Sequence, residues 1–312
     1  MTETVIPVFF SADDRYIPYC AVAVSSLIEG ADPAYTYHIH ILNTGIEKES
    51  AARVRQMERE NVRIFFDDVT EGMKRIAGRM DLRDYYSASI YFRIFIPALF
   101  PQYDKGIYLD SDVVVSGDIA RLFEASLDGN LVGAVPDEVI ASCKEFIRYA
   151  ERGCGIPHGE YFNSGVLLMD LAALRDFDLE ERYIDLLVRY RFDTVCPDQD
   201  YLNVLCRGRV RLLDRGWNKM SVSRDYDGLP RLVHYNMFNK PWQYDGIPYG
   251  ELFWKHAARS PFYSEICAVR DRFSEAEAEV HRKGLSELVR RATEIADSER
   301  NFRTVLFEGV TV

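Results

Sequence analysis

Apolar and polar positions along the chain predict strands and helices in turn. Thr4 to Phe10 is an apolar, β-rich run ending in Ser11-Ala12-Asp13-Asp14, and Tyr19 to Ile28 spaces its apolar residues as a helix does, closed by Gly30. The pattern repeats: Tyr37 to Leu42 alternates as a strand, Glu47 to Arg59 has helical composition, and Val62 to Phe66 reads as a strand before Asp67-Asp68. This alternation predicts an α/β fold, a largely parallel sheet with helices on its faces. Ligands of such sheets bind at the carboxyl ends of strands, so polar residues following a strand are the first candidates for chemistry.

Three stretches qualify: Ser11 to Arg15, Asp110-Ser111-Asp112 between the apolar runs Gly106 to Leu109 and Val113 to Val115, and Asp137 after Leu131 to Val135. Farther on, Phe162-Asn163-Ser164-Gly165 opens an apolar strand to Met169, Arg209 to Leu213 is a short strand, and Leu232-Val233 leads into His234. From about Glu251 the chain reads as helical, and Phe262 to Arg303 mixes acids and bases. The expected organisation is one α/β domain over residues 1–250 and a helical tail over 251–312.

Composition narrows the partners. At 312 residues and 47% hydrophobic content the chain can bury a large core. A net charge of -11 and a pI near 5.1 argue against broad affinity for nucleic acid or anionic lipid, so any phosphate is bound locally. Six cysteines without a CxxC spacing read as free thiols in a reducing, cytoplasmic setting. The N-terminal residues lack the pattern of a secretory signal, and no apolar run has the length of a transmembrane span.

Two carboxylates separated by one residue in an extended segment project to the same side and can share a divalent cation. The same spacing occurs at Asp176 and Asp178, Asp198 and Asp200, and Asp225 and Asp227, where turn chemistry explains it. Only Asp110 and Asp112 lie between two apolar β-like runs, where repulsion and desolvation demand compensation. His234 ends a strand, and an imidazole joining two carboxylates favours Mn²⁺ or a similar transition ion. Tyr235 to Trp242 follows it and brings Lys240 within reach of a diphosphate. His38, His40, His158, His256 and His281 read as structural, the first two on one face of a strand.

With these residues in order, the chain resembles glycosyltransferase family 8, the family of glycogenin and of bacterial lipopolysaccharide α-galactosyltransferases. The resemblance runs from about residue 4 to residue 245. It rests on Phe10 to Tyr16, Tyr91-Phe92-Arg93, Tyr108 to Asp112, Tyr161 to Leu168, Asp198 to Asn203, and His234-Tyr235 with Lys240-Pro241-Trp242. It implies the GT-A fold, a Rossmann-like mixed sheet flanked by helices. It also implies a UDP-glucose or UDP-galactose donor, Mn²⁺ with Mg²⁺ as the alternative, transfer with retention, and a glycan or glycoconjugate acceptor.

By that resemblance Asp110, Asp112 and His234 hold the metal, and Lys240 contacts the diphosphate. Ser11, Asp13, Arg15 and Tyr16 line the uracil and ribose end, with Ser111 in the same binding set. Arg93, Asn163, Gln199, Asp137 and Asp198 address the donor sugar. Tyr16 and Trp242 have packing as their bland alternative, Arg93 a core ion pair, and Asp200 and Asn203 helix capping. Gln199 is a poor nucleophile, which favours attack by the acceptor on the face that UDP leaves, with the Gln199 amide oxygen steadying positive charge on the sugar.

Two departures stand out. The glycine usual a few residues after the metal histidine is replaced by the stretch Met237-Phe238, which predicts a different path for the diphosphate loop. The tail mixes Glu275, Glu277 and Glu279 with Arg282, Lys283, Arg290 and Arg291, which leaves room only for weak peripheral contact with the inner face of a membrane. Self-glycosylation would look to Tyr85-Tyr86, which more simply pack. Competing readings are a UDP-sugar-binding protein without turnover and, from Ile107 to Val113, a haloacid-dehalogenase-like phosphatase.

Overall fold

The computed structural model describes residues 4–77 and 88–309; Tyr85 and Tyr86 lie outside them. Ten strands are present among the described residues. They are β1 Val5–Ser11, β2 Thr36–Asn43, β3 Val62–Asp68, β4 Lys105–Leu109, β5 Val113–Val115, β6 Val132–Ala134, β7 Val166–Asp170, β8 Val210–Leu212, β9 Lys219–Met220 and β10 Leu232–His234. Seven form one sheet in the order β3-β2-β1-β4-β7-β6-β8, and β5, β10 and β9 form a second.

The first four strands of the large sheet run parallel, as the alternation predicts. β7 runs antiparallel to both β4 and β6, so the sheet is mixed. Direction leaves no mark on an apolar run, which is why the pattern alone overstates the parallel character. The consequence is functional: Leu109 pairs with Val166, so the start of β7 lies beside the end of β4. Asp110 to Asp112 and Asn163 to Gly165 thereby share one edge.

Period-two alternation sends β-strand side chains to two cores. Val8, Phe10, Ile107, Leu109, Val166 and Leu168 enter one, while Phe9, Tyr108, Leu167 and Met169 enter the other. The first core is covered by the helix Ile17–Glu29, which carries a proline in its opening turn and buries most of its length. The helix expected to reach Arg59 ends at Arg55, because the chain turns back there and Arg59 bridges Val62 at the start of β3.

The C-terminal helices join both cores. Phe253, Ala257, Phe262 and Ile266 enter the first, and Ala292, Ile295 and Phe302 the second. The helix Glu275–Asp297 opens on a capping box between Ser274 and Glu277 and packs against the helix Lys144–Arg148. Its surface charges pair locally, Arg282 with Glu275 and Glu279, and Arg290 with Glu287 and Glu294. Among the described residues no helix is long and apolar enough to cross a membrane.

Candidate active site

The ends of β1, β4 and β10 and the start of β7 meet at two neighbouring cavities. The larger, about 460 Å³, is lined on its polar side by Arg93, Asp110, Asp112, Asp137, Asn163, Asp198, Gln199 and His234. The smaller, about 250 Å³, is bounded by Ser11, Asp13, Tyr16, Tyr108 and Ser111 and shares Arg93, Asp110 and Asp112 with the larger. Asp110 and Asp112 therefore stand between the two.

His234 Nε2 lies 3.2 Å from an Asp112 oxygen and 3.7 Å from an Asp110 oxygen. The three side chains offer ligand atoms that all lie within 4.8 Å of one another, a set suited to one divalent cation. Gly165 makes this approach feasible. A Cβ there would overlap His234 Cε1 and lie 2.5 Å from Asp110 Oδ2. The Gly165 carbonyl accepts from the Asp110 amide at 2.7 Å, which fixes where that carboxylate starts.

The rest of the site holds these ligands in place. Asn218, fully buried, lies with Oδ1 3.1 Å from His234 Nδ1 and donates through Nδ2 to Asn163 Oδ1 at 2.9 Å. Tyr108 donates its hydroxyl to Asp110 at 2.9 Å, and Ser111 donates to the Ser11 carbonyl at 2.7 Å. Asp112 pairs with Lys240, which also donates to the Tyr235 carbonyl at 2.6 Å. Burial disfavours ionised Asp112, but the charges of Lys240 and His234 outweigh it and hold the carboxyl below its ordinary range. Burial likewise opposes the Lys240 ammonium, and Asp112 outweighs it, leaving the pKa raised.

Several residues expected to contact the donor have partners within the protein. Lys240 lines neither cavity; it stands behind Asp112, which is its charge partner in a buried setting. Arg93 lines both, but its guanidinium is engaged by protein: Asp110 at 2.8 Å, Asp198 at 3.3 Å, and the Ser164 carbonyl at 2.7 Å. A rigid fork of five donors in a buried place binds the acceptors nearest it, and here it ties Asp110 to the wall that carries Asp198 and Ser164. Arg15 is exposed and lines neither cavity; its backbone amide, with that of Tyr16, donates to Asp13 Oδ1 in a turn. Tyr16 does line the smaller cavity, and Trp242 packs by stacking on Tyr19 at 3.9 Å.

Gln199 is oriented by its partners. Its Nε2 donates to Asp137 Oδ2 at 3.0 Å, and its Oε1 accepts from the Ser164 amide at 2.9 Å and Asn163 Nδ2 at 3.1 Å. The amide oxygen, expected to steady positive charge on the sugar, is thus already engaged by protein donors. Asp198 is a second carboxylate on that wall beside Asp137, accepting from Ser164 Oγ at 3.0 Å. Burial outweighs Arg93 and raises its pKa.

Asp200 and Asn203 do more than cap their helix. Asp200 accepts from Tyr149 at 2.6 Å, Tyr161 at 2.5 Å and the Cys196 amide at 2.9 Å, while Asn203 bonds both the amide and the carbonyl of Phe162. Burial carries the Asp200 pKa up to about 6 despite those hydroxyls. The other histidines are engaged elsewhere: His38 and His40 with Tyr103, His158 with Glu151, His256 with Glu29 and His281 with Tyr244.

Met237 adopts a left-handed φ of 56°. The loop after His234 therefore contains the turn that glycine favours, with a side chain imposed on it at a cost of roughly 1–2 kcal/mol. Asn218 and the space at Gly165 escape sequence reasoning. A lone asparagine before a two-residue strand carries no pattern, and the glycine's neighbours come from distant segments.

The glycosyl transferase family 8 profile matches residues 7–246. The chain belongs to glycosyltransferase family 8. It is 33% identical over 173 residues to the lipopolysaccharide 1,2-glucosyltransferase of Escherichia coli (strain K12), covering 50% of each chain. It is 32% identical over 191 residues to glycosyltransferase GlyF of Streptococcus pneumoniae serotype 4, covering 58% of this chain and 44% of that one. The chain thus spans about half the length of these relatives. The galactosyltransferase LgtC, solved with donor and acceptor sugar analogs, aligns at 27% identity with a TM-score of 0.68, covering 82% of this chain and 96% of LgtC. With the mixed sheet flanked by helices, this family 8 chain has the GT-A fold.

Proposed function

We propose that this family 8 chain transfers a hexose, glucose or galactose, from a UDP-sugar to a glycan or glycoconjugate acceptor with retention of anomeric configuration. The observation that carries the reading is the convergence of Asp110, Asp112 and His234 between two cavities of different character. The smaller cavity, with Ser11, Asp13 and Tyr16, takes the uracil and ribose. The larger takes the sugar against Asp137, Asn163, Asp198 and Gln199.

When held by Asp110, Asp112 and His234, Mn²⁺, or Mg²⁺ in its place, supplies Lewis-acid stabilisation of the diphosphate charge. The chain's own groups do the positioning. Asn218 fixes the His234 ring, Lys240 keeps Asp112 ionised, and Arg93 holds Asp110 and Asp198 at a set separation. Asp198 faces the sugar, where positive character develops as the bond from C1 to the diphosphate breaks. The acceptor oxygen forms the new bond to C1 on the same face, and its proton passes to the departing diphosphate oxygen. Gln199, locked to Asp137 and Ser164, shapes the wall beneath the ring. The six free cysteines support a reducing, cytoplasmic setting, and the paired charges of the C-terminal helix support at most weak peripheral membrane contact.

The test is product analysis. Incubation with UDP-glucose or UDP-galactose and a panel of oligosaccharide acceptors, followed by NMR of the new linkage, should give an α-linked product. A β-linked product would refute retention, and no product from either donor would refute the assigned reaction.

A further inference from the structure

The cavity of about 460 Å³ has a second wall made almost entirely of carbon. Val139, Ile140, Phe146, Phe238 and Leu288, with Gly284, line it, and no charged side chain among the described residues does. Lys283 and Glu287, neighbours on the same helix, are exposed and stay outside the lining. This wall is built into the site. Asp137 Oδ1 accepts from the amides of Val139 at 2.8 Å and Ile140 at 3.1 Å, while its Oδ2 holds Asn163 and Gln199. One carboxylate thus joins the polar wall to the apolar one.

Gly284 shows how closely the tail is fitted to the cavity. It lies inside the helix Glu275–Asp297, where a glycine weakens the helix. A Cβ there would lie 3.0 Å from Phe238 Cζ, so the glycine lets the Phe238 ring rest on the helix itself. Phe238 belongs to the loop that follows His234, and the C-terminal helix therefore closes a chamber that begins at the candidate metal ligands.

Sugar hydroxyls pressed against this wall would lose water and find few partners. An apolar group would gain by leaving water. We propose that this wall is the acceptor subsite and that it takes an acceptor alcohol or glycoside carrying an apolar alkyl or aryl group near the reacting hydroxyl. The inference rests on the glycosyl transfer proposed above. In that reaction the acceptor oxygen bonds to C1, the bond from C1 to the diphosphate breaks, and the acceptor proton leaves with UDP.

The test is calorimetric binding of methyl, hexyl and phenyl glucosides to the full chain with UDP and Mn²⁺ present. Hexyl or phenyl glucoside should bind at least tenfold more tightly than methyl glucoside, and Leu288→Gln should reduce that preference at least fivefold. A smaller preference in the native protein, or no binding of any glucoside, overturns the proposal. So does a preference that survives in both Leu288→Gln and Phe238→Ala, each checked for native melting. The native-protein comparison stands if neither variant folds. UDP titration with Mn²⁺ is read separately: failure of UDP to bind counts against the nucleotide-sugar reading, whereas UDP binding without an apolar preference defeats only the acceptor assignment.

Discussion

The Asn218 side-chain oxygen lies 3.1 Å from Nδ1 of His234, on the side of the ring opposite the atom that faces Asp112. With Asn218 as acceptor, Nδ1 carries the proton and Nε2 presents its lone pair to a cation, the arrangement by which outer groups tune metal-binding histidines. Asn218→Ala should weaken Mn²⁺ binding about 10–100-fold. Mn²⁺ titration followed by electron paramagnetic resonance reads this without turnover. Unchanged affinity in a natively folded variant would show that Asn218 does not orient the ring.

Gly165 sits under both His234 and Asp110, and a single methyl group would occupy their contact. Gly165→Ala should lower Mn²⁺ affinity and UDP release together by at least about tenfold, as expected when a site is displaced by about 1 Å. Parallel calorimetry and a UDP-release assay check it. Native affinity in the variant would mean that the ligands can separate without loss.

Asp200 gives a pH dependence with a definite sign. Its folded pKa of about 6 exceeds the ordinary value of 3.8, so between those limits the unfolded chain has released a proton that the folded chain retains. This group's contribution to stability is full below pH 3.8 and falls as pH rises through about 6. Between pH 4.5 and 7 the stability of the native protein relative to Asp200→Asn should fall by on the order of 2 kcal/mol. Urea unfolding at several pH values measures it. A constant difference above pH 4.5 would show that Asp200 titrates as an exposed carboxyl.

The same residue shows what sequence can and cannot reveal. Asp198 and Asp200 share the spacing of Asp110 and Asp112, but they lie on the helix Pro197–Leu205, where residues two apart point to different sides. Asp198 faces the cavity and Asp200 the buried tyrosines. The clustering of Asp110, Asp112 and His234 was legible because each member ends or follows an apolar strand, and strand ends collect where ligands bind. The order of strands and helices from β1 to β3 was legible from apolar periodicity. A core ion pair was a legible alternative for Arg93, but its two carboxylate partners, the retreat of Lys240 behind Asp112 and the link from Asn218 to Asn163 were not, because each joins segments tens of residues apart and leaves no periodic trace.

The proposed reaction is metal-assisted cleavage of a UDP-sugar at Asp110, Asp112 and His234. UDP release from UDP-glucose and UDP-galactose, measured with Mn²⁺ and with chelator, tests it most directly when native protein is compared with Asp112→Ala. Release from at least one donor that requires Mn²⁺ and falls by at least about a hundredfold in Asp112→Ala is the predicted result. Release that persists in chelator, or in the variant at the native rate, would refute metal-assisted cleavage at these residues.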